Sequence, residues 1–312
     1  MGTRTALFSQ RQIGGLFSIE DMNFTTGHRW FVGSAVAGAS DGVGYGQNPD
    51  GPFATLDYAF SSGSVVANSG DIIYAMPGHA ETASTDVELF DMDVAGVKII
   101  GLGWGDQRPT FTLAHADATM VLGAASSWLE NIRIVGNIST LVTALEVEAA
   151  ADGSVIKGCY FKDSATNKDM VIAIAVAAAA DRLRIIDNHF NIITGGEATD
   201  CIKLAGESAG TIIANNIASG DWKTGGFVNG NTAAATGLMI LNNLVVNQDA
   251  TAGLCIKGHA SSTGLITGNL FAGNKANTEP ISTVTAMHMG YNLMTDTAAA
   301  AAIISATATA WT

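Results

Sequence analysis

Acid–base chemistry needs titratable side chains at spacings that bring them together. The densest such set in this sequence of 312 residues lies in residues 181–222. It comprises Asp181, Arg182, Arg184, Asp187, His189, Glu197, Asp200, Glu207, Asp221 and Trp222. Asp187 and His189 flank Asn188, so in an extended segment both would point to one face. A carboxylate, an imidazole and an indole suit the binding or cleavage of a sugar. Acids at this density are also what the soluble exterior of a repetitive fold carries. On that reading no catalytic residue is expected, and Asp187 and His189 are the nearest approach to one. Residues 220–227 break the surrounding pattern as a loop holding Trp222 and Phe227, two aromatics suited to a carbohydrate contact or, in preference, a subunit contact.

The remaining motifs read as structural. Gly42-Val43-Gly44-Tyr45-Gly46 and Gly101-Leu102-Gly103-Trp104-Gly105 have neither the GxGxxG nor the GxxxxGK[ST] spacing, and no helical pattern follows them, so they are turns rather than phosphate loops. Cys159, Cys201 and Cys255 form no CxxC pair and are expected as small core residues. No Cys/His grouping has zinc spacing, and no metal or cofactor is expected. His79 and His259 each follow a glycine and are expected at turns.

Composition narrows the class further. Fifteen basic residues against 28 acidic ones give a net charge of −13, and charged residues make up only 14 %. Apolar residues reach 47 %, which excludes disorder, and five prolines exclude a proline-rich filament. An acidic chain without a basic cluster is a poor partner for nucleic acid or an anionic membrane. The longest apolar runs, at 170–180 and 298–304, are too short to span a bilayer. The first 24 residues hold Arg4 but no apolar run of secretory type, so no signal peptide is expected, and the sequons at Asn23 and Asn137 carry little meaning.

What positions any of these side chains is a repeat. An aliphatic residue, a small or amide residue and another aliphatic recur with the middle position at 131, 159, 189, 216, 243, 269 and 292. Each unit carries a further apolar run, such as Ala173-Ile174-Ala175-Val176 or Cys201-Ile202-Lys203-Leu204. Short runs of β-formers bounded by Gly, Asn, Asp and Ser are strands, and a period in the twenties with no helical segment fits one turn of a parallel β-solenoid. The 49 alanines and 36 glycines then fill a narrow interior, and the recurring asparagine predicts a stacked amide ladder at a sharp corner. The open end needs a cap. Residues 52–60, with apolar positions at 53, 56, 59 and 60 after Asp50-Gly51-Pro52, predict a short capping helix ended by Gly63. Four segments follow: at 1–34 an anchoring arm or, equally, a strand or two packed under the cap, then a cap at 35–69, the solenoid at 70–297 and a C-terminal cap at 298–312 in which Trp311 covers apolar surface.

The block Asn48-Pro49-Asp50-Gly51-Pro52-Phe53-Ala54-Thr55-Leu56, followed by Gly70-Asp71-Ile72-Ile73-Tyr74 and Pro77-Gly78, resembles the opening of right-handed parallel β-helix proteins of the pectate-lyase-like class. Residues 93–103 and Arg108-Pro109-Thr110-Phe111 are similar to a subgroup found among structural proteins of tailed phages. That resemblance implies an all-β parallel β-helix and a virion component, often a trimeric decoration of the capsid. The expectation is therefore a non-enzymatic homotrimer on the capsid exterior. Phe8, Arg11, Phe17, Phe24 and Trp30 of the arm would bind the major capsid protein, with Trp222 and Phe227 as further contacts. The alternative is a tail-spike polysaccharide depolymerase or glycan-binding receptor. The acid pairs and Gly-His-Gly of polygalacturonase-type enzymes are absent. Two carboxylates about 5–10 Å apart in one cleft beside aromatics would favour the enzyme.

Overall fold

The computed structural model describes residues 25, 27–192, 198–251, 253–275, 280–282, 284–295 and 302–304. Among the described residues eight successive coils each lay one short strand into each of three sheets, and the three sheets enclose the core. The first sheet has ten strands, from Arg29–Val32 and Ile72–Ala75 to Met287–Gly290. The second also has ten, from Ala80–Ala83 to Asn292–Thr295 and Ala302–Ile304, and the third has eight, from Glu88–Asp91 to Ile281–Ser282. Pairing is parallel throughout except at the end, where Ala302–Ile304 returns antiparallel to Asn292–Thr295. This is the all-β parallel β-solenoid that the repeat predicts.

Strict register turns the repeat into columns of like side chains. In the first sheet Trp30, Ile73, Ile99, Leu129, Ile156, Ile185, Ile213, Ile240 and Ile266 are successive partners, and all are buried. β-Branched side chains suit this arrangement because their single preferred rotamer repeats from strand to strand. In the second sheet the inner column reads Phe111, Ile134, Phe161, Phe190, Ala218, Val245, Phe271. Phe161 and Phe190 stack with centroids 4.8 Å apart. Where that column narrows to Ala218, Phe227 and Trp222 supply the bulk: both are wholly buried, and the Phe227 ring meets Phe190 edge-on at 6.0 Å. The subunit contact expected of Trp222 and Phe227 is thereby corrected, because neither presents any surface. The three cysteines are free and buried, as expected of core residues.

The asparagine ladder exists, but its register differs from the predicted one at two rungs. Asn188, Asn216, Asn243, Asn269 and Asn292 form the buried column, each donating from Nδ2 to the Oδ1 of the next at 2.9–3.1 Å. Cys159 precedes Asn188 in the column, its N–H donating to Asn188 Oδ1 at 2.9 Å. The residue before each rung takes the left-handed conformation that turns the corner: Asn131 (φ 58°), Gly158 (61°), Asp187 (58°), Asn215 (57°), Asn242 (53°), Gly268 (71°) and Tyr291 (54°). Turning and stacking are thus done by adjacent residues, which places the predicted Asn131 at the corner and the predicted His189 beyond it.

The N-terminal end is closed by the helix Leu56–Ser61, which buries Leu56, Ala59 and Phe60. It starts at Thr55, whose Oγ1 accepts from the Tyr58 N–H at 3.4 Å, rather than near Pro52. The reason is that Phe53 is held extended by hydrogen bonds to Phe31 and Gly33 at 2.9 Å. Part of the expected arm is in fact the first rung: Arg29–Val32 pairs with Ile72–Ala75. Trp30 is buried in the core and stacks on Phe53 at 5.7 Å, so its expected capsid contact is corrected too. Phe8, Arg11, Phe17, Phe24 and Trp311 lie outside the described residues.

A carboxylate occupies the first position of the second sheet's inner column. Glu81 partners Phe111, and its Oε1 accepts from the Leu56 N–H and from His79 Nε2, both at 2.7 Å. His79 Nδ1 accepts from the Ser34 N–H at 3.0 Å, which leaves the ring proton on Nε2. The buried His79 is therefore part of the cap.

Candidate active site

The described residues of the group that sequence spacing makes at 181–222 are dispersed around the coil, and Glu197 lies outside the described residues. Asp187 turns the corner with φ 58°, so the alternation that would align it with His189 is broken. Both side chains are exposed, and among the described residues no hydrogen bond or ion pair joins them. His189 stacks on Tyr160 at 4.9 Å, and desolvation together with the charge of Arg108 lowers its pKa. Arg182 pairs with Asp152 at 3.0 Å, Asp181 accepts from the Ala209 N–H at 2.7 Å, and Asp200 is buried against Asn229 Nδ2 at 2.8 Å. These are contacts between coils, and they serve the stack.

A different carboxylate set converges on the third sheet. Its outward row runs Asp91, Val121, Glu146, Ala175, Lys203, Asn229, Lys257 over seven successive strands. Acids occupy the N-terminal end of this row and lysines the C-terminal end. The adjoining positions carry Asp93, Gly123 and Glu148. The missing side chain of Gly123 is what brings the acids together: a Cβ there would lie 2.8 Å from Asp91 Oδ1 and 3.3 Å from Glu148 Oε2. Oxygens of the two carboxylates therefore lie no more than about 6 Å apart across one bare backbone position, close enough to act on the same glycosidic bond. Glu146 and Glu148 line one cleft of about 540 Å³, whose floor is Ala149, Ala150, Ala175, Ala177 and Ala205. Asp57 and Glu88 line a second, of about 590 Å³, toward the cap. Neither cleft is lined by an aromatic ring.

Burial and like charge separate these acids in strength. Asp91 Oδ1 is shielded from solvent with no hydrogen-bond partner among the described residues. Desolvation raises the Asp91 pKa to about 6, assisted by the charges of Asp93, Glu88, Glu148 and Asp57. Glu146 is raised by desolvation and then by Glu88 and Glu148, and Asp57 by desolvation and then by Asp93 and Asp41. Asp91 thus holds a proton closer to neutrality than an ordinary carboxyl does, while Glu148 beside it is exposed to water. A proton donor facing a second carboxylate is the pairing that glycosidic cleavage requires. Sequence reasoning missed the pair because its members lie two coils apart.

No family model matches this chain, and no curated protein matches it. Among solved structures a chain titled "Rhamnogalacturonan lyase" is similar, with TM-score 0.42 and 12 % identity over 85 % of this chain and 87 % of that one. The expectation of a non-enzymatic capsid decoration protein is corrected here, because the third sheet brings together a carboxylate pair of the kind its alternative requires. The alternative of a polysaccharide depolymerase takes its place, and it rests on the Asp91–Glu148 geometry rather than on a likeness of this degree.

Proposed function

We propose that this protein cleaves glycosidic bonds of a polysaccharide bound along the N-terminal half of the third sheet, with Asp91 as general acid and Glu148 as nucleophile. The approach of the two carboxylates across Gly123 carries the reading. Asp91 gives its proton to the departing glycosidic oxygen while Glu148 forms a bond to the anomeric carbon. Asp91, now ionised, takes a proton from the water that attacks this glycosyl–enzyme and frees Glu148. A separation of at most about 6 Å is too short to seat a water between the carboxyls, so the configuration at the anomeric carbon is retained. The surrounding Asp57, Glu88, Asp93 and Glu146 repel a polyanion, which selects chains that are uncharged at the cleaved residue.

The test is release of reducing ends from neutral and acidic polysaccharides by the wild type and by Asp91→Asn and Glu148→Gln. Loss of at least about 100-fold in rate on a neutral substrate in both variants is expected. The proposal fails if both variants retain the wild-type rate, or if only acidic chains are cut. Asp187→Ala is expected to cleave as the wild type does.

A further inference from the structure

Two loops stack at the corner between the second and third sheets, and they bring together three side chains that neither the fold nor the proposed cleavage uses. Asp86 lies between the strands Ala80–Ala83 and Glu88–Asp91, and His115 and Asp117 lie one coil later, between Thr110–Leu113 and Thr119–Leu122. One ligand atom from each lies within 4.8 Å of the other two. The loops are tied on both sides of the cluster: Ala114 N–H donates to Ala83 O at 2.8 Å, and Thr119 N–H to Val87 O at 3.3 Å. A third coil holds the later loop in turn, through Val142 N–H to Ala116 O at 2.8 Å. His115 Nδ1 accepts from the Asp117 N–H at 3.3 Å, which orients the ring over its own loop. The backbone therefore fixes the spacing of the three side chains before any ion arrives, and only short side-chain rotations are left to make.

We propose that Asp86, His115 and Asp117 bind a divalent cation of the zinc class and that the ion staples two successive coils at this corner. Three protein ligands of mixed imidazole and carboxylate type suit zinc, with water completing the shell, whereas calcium and magnesium take sites made of oxygen alone. Asp86 and Asp117 are exposed and His115 half-buried, so the site opens to solvent and loads without unfolding. Ser84, Thr85 and Val87, the neighbours of Asp86, form a wall of the cleft that holds Glu88, so the ion would brace one side of that cleft. The site is independent of the cleavage chemistry, since none of its three ligands belongs to the Asp91–Glu148 pair.

The experiment is calorimetric titration of the tag-free, chelator-treated full chain with zinc chloride and, separately, calcium chloride. Thermal melting is followed in parallel. Binding of one zinc per chain is expected, at least about 10-fold tighter than calcium. Zinc held at about one hundred times its Kd should raise Tm by on the order of 5 °C. His115→Ala and Asp117→Asn should weaken zinc binding at least about 10-fold and abolish the Tm rise while leaving the far-UV spectrum unchanged. The proposal is overturned by an absence of zinc binding, by calcium binding as tightly as zinc, or by a His115→Ala protein that binds zinc like the wild type. Reducing-end release measured on the same His115→Ala protein separates this outcome from failure of the cleavage reading, which predicts retained activity there.

Discussion

A single glycine decides whether the acids of this surface act together. Gly123 is the position where a side chain would stand between Asp91 and Glu148. Gly123→Ala should leave the melting temperature close to that of the wild type and lower cleavage at least about 10-fold, because small misplacements of paired groups are costly. Reducing-end release and melting measured on one preparation check both halves. Asparagines carry the complementary role inside. Asn243 accepts at Oδ1 from Asn216 N–H and Nδ2 and donates from Nδ2 to Ile213 O and Asn269 Oδ1. Asn243→Ala strands several buried polar groups at once and should cost about 2–4 kcal/mol in urea unfolding. Asn243→Asp should cost more at neutral pH, since it removes two donors and buries a charge. Spacing alone made the ladder legible at 216, 243, 269 and 292. It misplaced the rungs at 131, where the asparagine turns the corner, and at 189, one residue past the ladder's Asn188, because spacing alone does not separate a corner residue from the rung beside it. The acid pair was not legible at all, since nothing in the spacing of Asp91 and Glu148 reveals that Gly123 lies between them.

Among the elements, the corner between the first and second sheets has the plainest conformational demand. Its turning residue sits in the left-handed region on rung after rung, filled by glycine at 158 and 268, by asparagine at 131, 215 and 242, and by Tyr291 at the last. A tyrosine there bears a steric penalty that glycine escapes, and Tyr291 is 90 % exposed, so its ring contributes little packing in return. Tyr291→Gly should therefore stabilise the chain by up to about 1 kcal/mol, read as a higher urea midpoint. The strand Arg29–Val32 was legible only as one of two readings, because its partner Ile72–Ala75 lies beyond the cap in sequence and its other edge is covered by the irregular segment around Phe53. The helix was found but shifted, because helical spacing of apolar residues does not reveal that Phe53 is already committed to backbone bonds with Phe31 and Gly33.

For the molecule as a whole, the low charge density conceals an uneven distribution. Charged residues are sparse, yet Asp57, Glu88, Asp91, Asp93, Glu146 and Glu148 gather toward the N-terminal end of one face, where Asp57, Asp91 and Glu146 all have raised pKa values. Such groups bind more protons in the folded than in the unfolded chain. Their contribution is full below the ordinary carboxyl value of 3.8 for Asp91 and is lost as pH rises through about 6. Melting temperature should fall over that interval, less steeply in high salt and less in Asp91→Asn, and cleavage should decline with the same limb as Asp91 loses its proton. The cap carries a consequence of another kind. A parallel solenoid has no inherent length, since each coil offers the next the same edges and the same columns, and end-to-end joining of copies would extend it without limit. At the N-terminal end, among the described residues, the second sheet's inner column ends at Glu81, whose Oε1 is engaged by His79 and the Leu56 N–H. A second copy arriving there would have to set its own aromatic column against a carboxylate and displace a helix, so that end counts as rung one and fibril growth from it is blocked.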